Sequence, residues 1–94
     1  MGVEYKILVS PMDQERFVEH IKGLPFMRTF DPKRNSYALF SPKSQGTAFA
    51  YVAVDESAIH FTDVLTEVEM ANRIFRGLID LALLHGGRVV VEEE

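Results

Sequence analysis

Thr66-Glu-Val-Glu-Met-Ala-Asn-Arg-Ile-Phe-Arg-Gly-Leu-Ile-Asp-Leu-Ala-Leu-Leu-His-Gly-Gly87 reads as one helix with both ends marked. Thr66 and Glu69 have capping-box spacing, in which each side chain satisfies the other's orphan backbone N–H. Leu65 and Met70 stand where a hydrophobic staple closes. Gly86 and Gly87 supply a left-handed stop. At about 100° per residue, Val68, Met70, Ala71, Ile74, Phe75, Leu78, Ile79, Leu81, Ala82 and Leu83 cover more than half the circumference. Glu69, Asn72, Arg73, Arg76 and Asp80 leave only a narrow polar strip. Packing on one sheet face uses about a third of a helix. The surplus apolar surface therefore predicts a partner.

Strand signals surround this helix. Val3, Tyr5, Ile7 and Val9 alternate with Glu4 and Lys6, as in a strand with one buried face. Ser10-Pro-Met-Asp13 follows as a helix start, with Ser10 as N-cap and Pro11 at the first helical position. Phe17, Val18, Ile21 and Leu24 line the buried side, and Gly23 with Pro25 ends the helix. Four short strands are expected at about 26–31, 36–41, 47–54 and 58–64. Turn residues separate them: Asp31-Pro-Lys-Arg-Asn-Ser36, Ser41-Pro-Lys-Ser-Gln-Gly46 and Asp55-Glu-Ser57. Arg88-Val-Val-Val-Glu92 is the last strand. Glu92, Glu93 and Glu94 add charge that discourages further edge pairing.

The order strand, helix, four strands, helix, strand predicts an α+β fold. If the first strand lies between the fifth and the sixth, every neighbouring pair is antiparallel and both crossovers are right-handed. This is the ferredoxin-like two-layer plan, β-α-β-β-β-β-α-β, with its central hairpin expanded. It has a six-stranded sheet and both helices on one face. All 94 residues make a single domain on this reading.

The other sheet face is then open. If Glu56-Ser57 is a two-residue turn, Val54 pairs with Ile59 and Tyr51 with Thr62. Ile59 and Phe61 then face the helices, and Phe49, Tyr51, His60 and Thr62 share the open face. A three-residue loop would instead reverse the strand and put Phe61 beside Tyr51, leaving no clean core face. A contiguous apolar patch of this kind predicts a homodimer or protein-partner face. The alternatives are a small-molecule pocket with aromatic walls around Tyr51 and His60, in a ligand-binding dimer or small enzyme, and ordinary core covered by a loop or tail.

Chemistry-bearing motifs are scarce. There is no cysteine, so there is no disulfide frame, thiolate or Cys-based zinc site. This suits a cytoplasmic setting. His20, His60 and His85 lack metal-ligand spacing, so no metal or cofactor is expected. No G-x-S-x-G elbow is present, and His85-Gly-Gly-Arg88 follows a helix where an anion site precedes one. No catalytic residue is assigned.

The net charge of −4 argues against nucleic acid. Gln45-Gly-Thr-Ala-Phe-Ala-Tyr-Val52 meets the RNP1 pattern only at Gly46, Ala48 and Phe49. The charge is unevenly placed. Arg28, Lys33, Arg34 and Lys43 form a basic segment, the candidate contacts for a charged partner. Residues 44–72 carry only acids among their charged groups. No apolar run reaches membrane-span length, and no basic n-region with an apolar run opens the chain. The expectation is a non-enzymatic interaction or regulatory module, inhibitory, immunity-type or adaptor, and homodimeric.

Overall fold

The computed structural model describes residues 2–24, 27–42, 46–85 and 87–94, with the side chains of 29 and 30 left aside. Its strands are β1 (Val3–Ser10), β2 (Met27–Asp31), β3 (Ser36–Leu39), β4 (Ala50–Val54), β5 (Ala58–Asp63) and β6 (Arg88–Glu93). The helices are α1 (Gln14–Lys22) and α2 (Val68–His85), and a single 3-10 turn spans Pro32–Arg34. The strands form one antiparallel sheet in the order β2-β3-β4-β5-β1-β6. β1 thus lies between β5 and β6, the placement that makes every neighbouring pair antiparallel. The order differs from the four-stranded ferredoxin-like arrangement by its longer meander.

Register explains the two faces. Tyr37 pairs with Val52, Val52 with Phe61, Tyr5 with Phe61 and Ile7 with Ile59. These side chains share one face, because directly opposed residues point the same way. They form one core with Phe17 and Ile21 of α1 and Ala71, Leu78 and Ala82 of α2. Both helices therefore cover the same face. Small Ala71 and Ala82 let α2 approach closely, and Phe75 sits against the rings of Tyr5 and Phe61 at 4.6 and 5.2 Å. Burial pushes the Tyr37 hydroxyl pKa up, so the phenol stays neutral in this core.

The β4–β5 hairpin has the expected two-residue turn. Val54 is in register with Ile59 and Tyr51 with Thr62, and the Asp55 N–H donates to the Ala58 carbonyl at 2.9 Å.

Both helix starts differ from expectation. Ser10 ends β1, and Asp13 caps α1 by accepting the Arg16 N–H at 3.3 Å. A carboxylate one turn closer to the apolar run outcompetes the Ser10-Pro11 start. In α2, the Ala71 N–H donates to the Glu67 carbonyl, so the helix begins after Glu67 and the Thr66 capping box does not form. The strand-to-helix junction instead uses buried Asp63, whose carboxylate accepts the Leu65 N–H at 2.8 Å. Leu65 takes the left-handed conformation, φ 68, and is 49% exposed. The Glu67 carboxylate accepts the Ser41 hydroxyl. Gly23 closes α1 in the right-handed region, while the predicted stops at Pro25 and Gly86 lie outside the described residues.

Candidate functional site

Tyr51, His60 and Thr62 come together on the open face, each half-buried. Phe49 does not join them. It is 0% exposed and belongs to the core. Its N–H donates to the Leu39 carbonyl at 2.8 Å, yet Leu39 is in register with Ala50. Two successive residues thus meet one, as at a β-bulge, and the alternation that would place Phe49 beside Tyr51 is broken. The open face is also less bare than expected. Ala38, flanked in register by Arg28 and Tyr51, is buried, as is Ala58 opposite Leu8.

Asp55 organises the hairpin end of this face. One carboxylate oxygen accepts the N–H groups of Ser57 and Ala58 at 2.9 and 2.8 Å. The other lies 2.7 Å from His60 Nε2. Burial alone would raise the Asp55 pKa. The His60 hydrogen bond, those from Ser57 and Ala58, and the His60 charge outweigh it and hold the carboxyl at about 2. The Ser57 hydroxyl also turns to Asp55, at 3.4 Å. The hub is therefore the carboxylate.

The depressed pKa has a definite sign in stability. The pair contributes fully above the ordinary carboxyl range and loses its contribution as pH falls toward about 2. Both side chains are more than a third exposed, so screening holds the effect below about 1 kcal/mol. Asp55→Asn is expected to lower stability slightly at neutral pH, with the difference shrinking as pH falls from about 4 to about 2. Denaturant unfolding of both proteins across that range measures it. A difference independent of pH would mean that the carboxylate charge is not what the turn and His60 hold.

The 3-10 turn brings part of the basic segment to the same end. Asp31 accepts the Lys33 N–H at 3.1 Å, and Asn35 takes the left-handed conformation that returns the chain to β3. Lys33 and Arg34 then line an open cleft of about 460 Å³ with Asn35, Asp55, Glu56 and His60. Arg34 lies 3.8 Å from Asp31 but is highly exposed. Arg28 is placed elsewhere, with its guanidinium 4.9 Å over the Phe40 ring. Lys43 lies outside the described residues. Among the described residues no group of three His, Asp or Glu is placed to hold a metal ion. No described helix is long and apolar enough to cross a membrane.

A second surface is more apolar. Among the described residues, the exposed large hydrophobic ones are Leu65, Val68, Leu83, Leu84, Val90 and Val91. All belong to α2, its entry or β6; none lies in the middle of the open face. The wide arc of α2 signalled the first part of this surface. The Val89-Val-Val91 run, apolar toward both faces of a strand, was the unread signal for the second.

No family model matches the chain, and neither curated proteins nor solved structures give a significant match.

Proposed function

We propose that this chain is a non-enzymatic interaction module that works as a homodimer, through the surface of α2 and β6. The carrying observation is that, among the described residues, the exposed large hydrophobic ones lie on α2, at its entry and on β6, with Leu65 and Val68 at one end of the helix and Leu83 and Leu84 at the other. Adjacent exposed apolar pairs, as at Leu83-Leu84 and Val90-Val91, favour association over solvation. The strand order supports reading the fold as a ferredoxin-like plan with an expanded hairpin. The cysteine-free composition supports a reducing, cytoplasmic setting. A regulatory, inhibitory or adaptor role fits a small acidic module.

Light scattering across a concentration range tests this reading. The expected mass is twice the 10.7 kDa of the chain. Leu83→Glu with Leu84→Glu, both highly exposed, is expected to weaken the dimer while leaving the circular dichroism spectrum unchanged. A wild-type monomer at every concentration would overturn self-association.

A second reading rests on the cleft at Lys33, Arg34, Asp55 and His60, whose volume suits a small molecule. Its discriminating variant is His60→Ala, which would abolish ligand binding without changing the mass in solution.

A further inference from the structure

We infer that β6 pairs antiparallel with β6 of a second copy, with Val90 facing Val90 of the partner subunit across a two-fold axis. This deepens the homodimer reading and rests on it. β6 closes one end of the sheet, with β1 on its other side. The Glu94 N–H donates to the Glu4 carbonyl at 2.7 Å, and those residues are directly opposed if the β1–β6 register is continued. Hydrogen-bonded pairs recur every second residue in an antiparallel ladder. The backbone groups of Arg88, Val90 and Glu92 therefore turn toward β1, and those of Val89, Val91 and Glu93 turn outward.

Only registers that oppose outward groups to outward groups can form. Centring the axis on Val91 sets Glu92 and Glu93 against valines. Centring it on Val89 shortens the ladder and sets Arg88 against Val90 of the partner subunit. Centring it on Val90 lets Val89 and Val91 of the partner subunit exchange both N–H···O bonds. It also sets Arg88 opposite Glu92 of the partner subunit. That is a non-hydrogen-bonded pair, in which the Cα atoms approach to about 4.5 Å and side chains lie closest.

The charge pattern extends further. Lys6 of β1 is in register with Glu92 of β6. In the dimer each Glu92 would lie between its own Lys6 and Arg88 of the partner subunit. Opposite charges directly across strands stabilise pairing, and like charges oppose it. The Arg88–Glu92 pair therefore favours this register and offsets the charge by which the acids would otherwise discourage edge pairing. Val90 and Val91, exposed in the single chain, become covered.

Two sets of variants test the pairing by light scattering. Val91→Pro removes an N–H that points away from β1, so the fold is expected to survive, as prolines do on sheet edges, and the dimer is expected to be lost. Arg88→Glu and Glu92→Arg are each expected to weaken the dimer about tenfold, and the double reversal to restore it. A dimer that persists in Val91→Pro with unchanged affinity would overturn the β6 pairing while leaving self-association standing. A dimer lost in Val91→Pro, with the single charge reversals not rescued by the double reversal, would overturn the Val90-centred register. A wild-type monomer would remove both this pairing and the homodimer reading.

Discussion

Phe49→Glu is expected to unfold the domain rather than to release a partner. Phe49 is fully buried, among the largest side chains of the core. Truncating such a phenylalanine to alanine costs about 3–5 kcal/mol. A glutamate there adds the cost of burying a carboxylate with no partner. Domains of this kind have about 5–15 kcal/mol in total. Circular dichroism of Phe49→Glu is expected to show loss of structure. The milder Phe49→Ala is expected to melt more than about 10 °C below the parent. A folded Phe49→Glu that had lost only its association would return Phe49 to the interaction surface and remove the bulge as the reason for its burial.

Leu78→Ala and Leu84→Ala are expected to differ by most of the stability that one core leucine supplies. The two residues lie on the same helix and are alike in composition terms. Leu78 is 0% exposed and Leu84 is 74% exposed. Leu78→Ala is expected to lose about 2–5 kcal/mol, and Leu84→Ala to stay within about 0.5 kcal/mol of the parent. Thermal melts at a concentration below the dimer transition separate the two effects, because assembly then adds nothing to stability. Equal losses would mean that α2 is seated on another face.

The helix shows why part of the surface was legible. An apolar arc wider than a sheet face can use is visible from spacing alone, and Val68 and Leu83 emerge exposed as that width implies. Which apolar residues remain outside depends on the rotation of α2 about its axis. Phe75 between Tyr5 and Phe61, and the close approach at Ala71 and Ala82, set that rotation. The basic segment shows the converse. Lys33, Arg34 and His60 were separate features of the chain. The 3-10 turn and the β4–β5 register bring them to one cleft.

The sequence by itself determined the element order and the antiparallel sheet, and it left the β4–β5 hairpin with two registers of which the structure shows the two-residue turn. Each of these follows from local periodicity, turn residues and the parity of the crossovers. Tertiary structure alone decided the burial of Phe49, the helix starts at Asp13 and Glu67, and the position of the exposed apolar surface. Two residues meeting Leu39 reverse a side chain that strict alternation would leave outside. The buried Asp63 holds Leu65 in a conformation that leucine rarely takes. Periodicity describes where a side chain points when its element is regular. A bulge, a strained junction or a helix rotation is set by contacts between residues far apart in the chain, and no local pattern carries it.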